Sequence, residues 1–245
     1  MLENKKFLIT GGNGGIGFEI VKTLLLNKSK IILLLNKNTD NIDQLIQKSP
    51  EHKSNIEIIK VDLTDVDELK NKIFGIKNID GFIHSVTLPI ENKSTLDMEW
   101  GNFQSNLDLQ VKSFHEILKN IIPTMKERKC GKIINILTEY VVGVPPKKIS
   151  SYLVSKYALL GMTKSLAVEL GEFGINVNSV SPSMTNTTLI SNIPNKLKEI
   201  TASQIPLKRL AETKDVASAV LFLCSEQSNF LTGENILVSG GNTMQ

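Results

Sequence analysis

Residues 7–17 read FLITGGNGGIG, and this stretch decides the fold. An apolar strand runs directly into a glycine-rich turn, and apolar residues then recur at helical spacing. Backbone N–H groups in such a turn can approach a pyrophosphate, and the positive end of the helix dipole favours the same anion. Gly11, Gly15 and Gly17 lack the Cβ atoms that would obstruct the turn, the ligand and the packing of helix on strand. We therefore predict a nucleotide-binding strand–turn–helix unit.

The same alternation of strand and helix continues along the chain. Short runs rich in Ile, Leu and Val lack polar/apolar alternation, which is typical of strands buried on both faces of a parallel sheet. These runs are residues 7–10, 31–35, 56–61, 81–86, 132–137, 175–180 and 235–240. Helical patterns between them include one opened by Thr64 and Asp65, two long ones at 107–125 and 152–170, and one at 215–224. We predict an α/β fold of the doubly wound Rossmann type, a seven-stranded parallel sheet with helices on both faces.

No linker, repeat or low-complexity tract interrupts this pattern. We therefore predict one domain over residues 1–245. The one long irregular stretch covers residues 182–213, around Pro194 and Pro206. Because long loops inside compact domains usually serve a function, we predict that it forms a substrate lid.

The composition argues against several functions. A net charge of +3 and 5% aromatic residues argue against a nucleic-acid or membrane surface. The longest apolar runs are too short to span a bilayer. Cys130 and Cys224 lie far apart and form no CxxC pattern, which indicates reduced thiols. We predict a cytoplasmic protein with no metal site.

Several motifs follow the glycine turn in order along nearly the whole chain. The turn itself, residues 10–17, fits TGxxxGxG in full. The others are DLTD at 62–65, Asn106 in a long helix, YLVSK at 152–156, SPS at 181–183 and VSGG at 238–241. In this ordered set the chain resembles the short-chain dehydrogenase/reductase family, and within it the 3-oxoacyl-[acyl-carrier-protein] reductases. The resemblance implies hydride transfer between a nicotinamide and a carbonyl or secondary alcohol.

The end of the second strand, LLLNKN at 33–38, bears on the choice of nicotinamide. A carboxylate there binds the ribose 2′-OH of NAD, whereas a cation accepts the 2′-phosphate of NADP. Asn36 and Lys37 stand at this point, so we predict NADP(H) over NAD(H); a solvated lysine in a turn is the alternative. Gly14 stands where many NADP-using relatives carry a basic residue. Asp62 resembles the family aspartate that contacts adenine, with a simple helix cap as its alternative.

The resemblance supplies further cofactor contacts. Thr187 matches a threonine near the nicotinamide end, and Ser85 follows the fourth strand near the cofactor. The complete predicted cofactor set is Gly11, Asn13, Gly15, Ile16, Gly17, Asn36, Lys37, Asp62, Leu63, Ser85, Tyr152, Lys156, Pro182 and Thr187.

Tyr152 and Lys156 share a helix face at i,i+4 spacing. Free tyrosine has a pKa near 10, and a cation about 4 Å away at an effective dielectric of about 20 contributes about 4 kcal/mol, or about 3 pKa units. A lysine at this spacing therefore predicts a tyrosine pKa close to 7. In the family pattern the tyrosine is the acid/base, and the lysine tunes it and holds the nicotinamide ribose. Asn106 matches the asparagine that supports a proton-relaying water; a surface asparagine is the alternative.

Two positions depart from the family pattern. Thr138 stands where a serine is usual, and it precedes Tyr152 by 14 residues, about one more than usual. Its hydroxyl offers the same hydrogen bond for orienting a carbonyl, and an inactive threonine at the edge of the core is the alternative. After the fourth strand the chain reads HSVT in place of NNAG. Related enoyl reductases carry a similar His-Ser but a longer tyrosine-to-lysine spacing, so we interpret His84 as a hydrogen-bonded core histidine.

The substrate is less constrained than the chemistry. A 3-oxoacyl thioester fits the resemblance, but Phe173 replaces one of two basic positions that dock a carrier protein; the other region is KERKCGK at 126–132. A small polar or sugar-like substrate is the alternative, favoured by the prolines and lysines of residues 139–149. A rival of another class is a non-catalytic dinucleotide-binding sensor or scaffold. The two long helices resemble those through which the family forms homodimers and homotetramers.

Overall fold

The computed structural model describes residues 2–191 and 193–244. Seven parallel strands form one sheet in the order β3-β2-β1-β4-β5-β6-β7. The strands are β1 (Lys6–Thr10), β2 (Lys30–Leu35), β3 (Ile56–Lys60), β4 (Gly81–His84), β5 (Gly131–Ile136), β6 (Ile175–Pro182) and β7 (Asn235–Val238). The α-helices are α1 (Gly15–Leu26), α2 (Asp40–Lys48), α3 (Val66–Ile73), α4 (Trp100–Leu107), α5 (Ser113–Arg128), α6 (Ser150–Leu170), α7 (Asn195–Gln204) and α8 (Thr213–Cys224). The predicted doubly wound fold is confirmed.

Burial on both faces explains why the strands lack alternation. Successive residues of β1 point to opposite faces, so that Leu8 packs in one apolar core while Phe7 and Ile9 pack in the other. Helices cover both faces, because α5 and α6 contribute to the first core and α1 and α8 to the second. All seven strands belong to one sheet, and the single domain over residues 1–245 stays a prediction.

The long helix before β5 begins earlier than predicted. The pattern predicted residues 107–125, but α4 begins at Trp100 and continues through a π-helical segment, Asp108–Lys112, into α5. The first turns were missed because WGNFQSN is mostly polar and contains a glycine. The π segment was not foreseen, since an i→i+5 pattern has no distinct apolar signature.

The predicted irregular stretch at 182–213 is partly helical. It contains α7, and a parallel bridge between Thr185 and Ala211 brings its two ends together. None of the residues of α7 is buried, so the helix lacks the apolar stripe by which sequence patterns reveal helices. The stretch leaves and rejoins the fold beside the carboxyl end of β6.

No helix within residues 2–191 and 193–244 combines the length and apolar character needed to cross a membrane. Cys130 is exposed, Cys224 is buried, and both are free thiols.

Candidate active site

The glycine turn joins the carboxyl end of β1 to the amino end of α1. Gly11 has a positive φ of 71°, and a Cβ there would overlap the carbonyl oxygen of Ser85 after β4. A Cβ on Gly17 would overlap the carbonyl oxygen of Gly11, so the turn closes on the helix by backbone contact. The N-cap residue of α1, Gly14, has no side-chain capping bond among the described residues. The first N–H groups of α1 are therefore available to an anion, as the dinucleotide prediction requires.

Asn13 ties this turn to α2. Its Oδ1 accepts from the backbone N–H of Asn41 at 3.0 Å and of Ile42 at 3.3 Å, and its Nδ2 donates to Oδ1 of Asn38 at 2.6 Å. The side chain thus caps the amino end of α2. Ile16, by contrast, packs against the apolar core beneath α1.

Asn36, Lys37 and Asp62 come together beyond the carboxyl ends of β2 and β3. Oδ1 of Asp62 accepts hydrogen bonds from the hydroxyl of Thr64 at 2.7 Å and from its backbone N–H at 2.9 Å, and these bonds lower the pKa of the carboxyl. A hydrogen bond from Asn36 and the charge of Lys37 lower this pKa further. Asp62 does not cap the next helix, because the N-cap of α3 is Asp65, which accepts from Glu68 N. Lys37 is exposed and makes no ion pair within the described part of the chain. An exposed cation at this position suits an anionic ligand group.

The remaining predicted cofactor residues line the carboxyl edge of the sheet. Leu63 is buried after β3, Ser85 follows β4, and Pro182 ends β6. Thr187 lies over the glycine turn: its Cγ2 is 2.7 Å from the position that a Cβ on Gly15 would occupy. The segment after β6 therefore folds back onto the glycine turn and packs directly against it.

Tyr152, Lys156 and Thr138 form one buried group at this edge. Tyr152 and Lys156 lie in the first two turns of α6 and are 8% and 3% exposed. The hydroxyl of Tyr152 interacts with the side chain of Thr138, which lies two residues beyond the end of β5. Nζ of Lys156 lies 5.6 Å from the centre of the Tyr152 ring and donates to the carbonyl oxygen of Ile136 at 2.8 Å. The extra residue between Thr138 and Tyr152 thus does not prevent their contact.

The pKa values of this pair differ from the sequence argument. Burial raises the pKa of Tyr152 to about 12, partly offset by the bond to Thr138, and burial lowers the pKa of Lys156 to about 7. The prediction of a tyrosine pKa close to 7 is therefore wrong for this structure. Removing both groups from water disfavours both charged forms, and this cost outweighs their mutual attraction.

Asn106 reaches the same group through a buried glutamine. Nδ2 of Asn106 donates to the carbonyl oxygen of Asn102 at 3.0 Å, which leaves its Oδ1 to accept from Nε2 of Gln110 at 2.9 Å. Nε2 of Gln110 also donates to Oγ of Ser155 at 2.9 Å, and Ser155 donates to the carbonyl oxygen of Tyr152 at 2.7 Å. Four of the predicted site residues are thereby brought together: Thr138, Tyr152, Lys156 and Asn106.

His84 is a hydrogen-bonded core histidine, as interpreted from the sequence. Its Nε2 lies 2.8 Å from the backbone carbonyl oxygen of Gln110 and its Nδ1 lies 2.9 Å from the hydroxyl of Thr10. Since a carbonyl only accepts, Nε2 carries the proton and Nδ1 accepts from Thr10. Burial, and then the charge of Lys156, lowers the pKa of His84 to about 3. The ring therefore stays neutral and connects β1 to the π segment.

Sequence reasoning missed Gln110, Ser155 and Glu139. Glu139 is buried beside Thr138, and its carboxylate accepts from Nδ2 of Asn242 at 3.0 and 3.1 Å and from the hydroxyl of Thr243 at 3.0 Å. No motif identifies Gln110 or Glu139. Ser155 lies inside YLVSK, and its position on the helix was the one signal that could have indicated that it is buried. A cavity of about 630 Å³ lies at the opposite end of the sheet, beside Phe7, and its described lining contains no predicted site residue.

The chain is similar to known proteins over nearly its whole length. A family sequence model described as Enoyl-(Acyl carrier protein) reductase matches residues 11–243. The 3-oxoacyl-[acyl-carrier-protein] reductase FabG of Rickettsia bellii is 31% identical over 245 residues, covering 99% of this chain and 98% of the relative. The 3alpha-hydroxysteroid dehydrogenase of Mediterraneibacter gnavus is 30% identical over 246 residues, covering 98% and 97%.

Solved structures agree with these relatives. One described as a short chain dehydrogenase/reductase family protein has a TM-score of 0.86 at 28% identity, covering 98% of this chain and 97% of the other. ElxO with NADP bound has a TM-score of 0.85 at 25% identity, covering 98% of each chain. The chain belongs to the short-chain dehydrogenase/reductase family, and it is an oxidoreductase of that class.

Proposed function

We propose that this chain reduces a carbonyl to a secondary alcohol with NADPH, with Tyr152 as proton donor. The observation that carries the proposal is the buried contact of the Tyr152 hydroxyl with Thr138, beside Lys156 and at the carboxyl edge of the sheet. A nicotinamide bound in the cleft would supply the hydride. A dinucleotide sensor or scaffold has no need of a buried hydroxyl pair at this place.

Four residues have proposed roles in the reaction. Tyr152 gives its proton to the developing alkoxide, and the Thr138 hydroxyl hydrogen-bonds the carbonyl oxygen and so orients it. Lys156, when charged, stabilises the tyrosinate that remains, and Asn106 supports the path by which a proton returns. Reduction requires a protonated tyrosine, and a pKa of about 12 keeps Tyr152 protonated throughout the neutral range. The raised pKa therefore keeps Tyr152 in the protonation state that reduction requires.

NADP(H) over NAD(H) is supported by the charge beyond β2. Lys37 is exposed beside Asn36 and Asp62, and its charged amino group is suited to bind a 2′-phosphate. The NADP-bound relative ElxO agrees with this choice. Lys37→Ala is expected to raise the Kd of NADPH about tenfold and to leave that of NADH within about twofold. An equal increase in the Kd of NADPH and of NADH would mean that Lys37 does not bind the 2′-phosphate.

For the substrate we propose a 3-oxoacyl thioester. Leu197 and Ile200 of α7 are three positions apart and 48% and 44% exposed, so the lid segment offers apolar surface that suits an acyl chain better than a sugar. The FabG relative reduces an acyl-carrier-protein substrate. In this chain Lys126 stacks on Phe173, 4.2 Å from the ring centre, so one basic group of the docking region is engaged. A small polar or sugar-like substrate is the second candidate.

A homodimer or homotetramer is supported by the surface of α6. Val154, Tyr157 and Val168 are exposed there at helical spacing. Sedimentation velocity would test this: a monomer at micromolar concentration would contradict it. The two free cysteines support a reducing, cytoplasmic location.

The deciding experiment compares Tyr152→Phe with Tyr157→Phe. NADPH oxidation is followed with acetoacetyl-CoA, a sugar ketone and a cyclic ketone, and each is repeated with NADH. Tyr152→Phe is expected to bind NADPH normally and to lose turnover by about 10²-fold or more. Tyr157→Phe, on the partly exposed side of α6, is the matched control and should retain turnover. Equal turnover of wild type and Tyr152→Phe would contradict the assignment, and absence of turnover with every carbonyl would favour the sensor.

A further inference from the structure

Gln110 is a buried polar residue for which the proposed chemistry gives no role. Its side chain is 0% exposed and lies in the π segment of the long helix. A glutamine in such a place costs stability unless its amide is hydrogen-bonded, and an apolar side chain of similar size would pack without that cost. Its presence therefore requires an explanation in terms of its contacts.

The amide nitrogen of Gln110 holds two elements together. Nε2 donates to Oδ1 of Asn106 in α4 and to Oγ of Ser155 in α6, both at 2.9 Å. Ser155 in turn donates to the backbone carbonyl oxygen of Tyr152. One amide group thus joins the asparagine of the predicted proton path to the turn of helix that carries Tyr152 and Lys156.

The backbone of Gln110 makes a third connection. Its carbonyl oxygen accepts from Nε2 of His84, whose Nδ1 accepts from the hydroxyl of Thr10 at the start of the glycine turn. A π segment leaves carbonyl groups out of the regular i→i+4 pattern, which makes one of them available for this bond. Gln110 therefore lies on a continuous buried chain of hydrogen bonds from the cofactor turn to the tyrosine helix.

The amide oxygen of Gln110 is the remaining feature. It is fully buried and has no hydrogen-bond partner among residues 2–191 and 193–244. Its orientation is not arbitrary, because Oδ1 of Asn106 can only accept, which obliges Gln110 to present its NH₂ group there. A buried acceptor left open beside Asn106 offers a proton-carrying water one of the two to four partners that such a water needs.

We propose that Gln110 is a positioning residue that holds Asn106 in register with Tyr152 and Lys156 and contributes its amide oxygen to the proton path. The inference rests on the proposed reductase function. It assigns to Gln110 no contact with substrate or nicotinamide. Its effect is on the geometry of the groups that move the proton, so its loss should lower kcat and leave cofactor binding nearly unchanged.

The test uses three variants of the full chain. Gln110→Leu removes both donors and the acceptor. Gln110→Glu keeps the shape but cannot donate while ionised. Gln104→Leu is the matched control: the same substitution in the same long helix, at an exposed glutamine whose Nε2 donates to Oδ1 of Asp108 at 3.1 Å.

With NADPH and the carbonyl that wild type turns over, Gln110→Leu should lose about 10- to 100-fold in kcat while the Kd of NADPH changes less than about threefold. Gln110→Glu should be slow at high pH and should recover in part as pH falls, because a protonated carboxyl restores one of the two donated bonds and burial raises the pKa of a carboxyl. A purely structural role would not produce this acid rescue. Activity of Gln110→Leu within about twofold of Gln104→Leu would overturn the proposal, as would a Gln110→Glu profile parallel to that of wild type.

Amide hydrogen exchange separates this proposal from the proposed function. Exchange at residues 104–106 and 152–156 should become faster in Gln110→Leu, and not in Gln104→Leu, even if wild type turns over no carbonyl. If Gln110→Leu does not fold, Ser155→Ala removes one arm of the contact and should give the same regional increase. Unchanged exchange in these two segments would overturn the positioning role.

Discussion

The buried histidine at position 84 makes the stability of the chain sensitive to acid. The pKa of His84 is about 3 in the folded chain against 6.5 for the free side chain, chiefly because burial excludes the charged ring. The folded pKa is depressed, so between these values the unfolded chain binds a proton that the folded chain does not. Stability is therefore lost as pH falls below 6.5, by about 1.4 kcal/mol per pH unit. Lowering the pH from about 7.5 to about 5 should cost about 2 kcal/mol through His84 alone.

The assay is urea unfolding followed by far-ultraviolet circular dichroism at both pH values and one protein concentration. His84→Asn supplies the control, because an amide can donate to Gln110 and accept from Thr10 without titrating in this range. Carboxylates contribute equally to both proteins, so the prediction concerns the difference: wild type should lose about 2 kcal/mol more than His84→Asn. His115→Asn, at an exposed histidine, should behave as wild type does. Equal pH dependence of wild type and His84→Asn would refute the reasoning.

Two further predictions concern the lysine and the glycine turn. Burial depresses the pKa of Lys156 from 10.5 to about 7, so above pH 7 the unfolded chain binds a proton that the folded chain does not. The free energy of unfolding should therefore increase by about 2 kcal/mol as pH rises from about 7.5 to about 9. Lys156→Met should abolish this increase in urea titrations. Gly17→Ala places a Cβ on the carbonyl oxygen of Gly11 and should lower the free energy of unfolding by about 1–3 kcal/mol and abolish measurable NADPH binding by fluorescence. Gly161→Ala, in the exposed middle of α6 with open space at its Cβ, should instead stabilise the chain by about 0.5–1 kcal/mol. A neutral Gly17→Ala or a pH-independent wild type would contradict these assignments.

The sheet was predictable because its strands carry a physical signature. All seven runs rich in Ile, Leu and Val became strands, and most of them are buried on both faces; the edge strands β3 and β7 are only partly buried. The helices that were missed, α2 and α7, are short and mostly polar. The early start of α4 and the π segment were missed for a related reason: their buried residues, Asn106 and Gln110, are polar and break the apolar stripe.

Some residues of the candidate site could be predicted from the sequence and others could not. Glycines that a turn requires and residues in a fixed spacing, such as Tyr152 and Lys156, can be read from a sequence because local geometry determines them. Gln110 and Glu139 could not, because their partners lie in distant parts of the chain: Ser155 for the first, and Asn242 with Thr243 for the second. Polar contacts across such distances leave no local pattern.

The pKa of Tyr152 shows which physical quantity the sequence lacks. Spacing on a helix determines the distance between Tyr152 and Lys156, and distance alone predicts attraction and a lowered tyrosine pKa. The opposite shift arises because both side chains are nearly fully buried, a property that depends on how distant parts of the chain pack around them. A lysine that is only partly charged near pH 7 lowers the pKa of the tyrosine less than a full charge would, so Tyr152 stays protonated in the neutral range. Burial thus keeps Tyr152 in its protonated form, an effect that the spacing of the two residues on the helix does not predict.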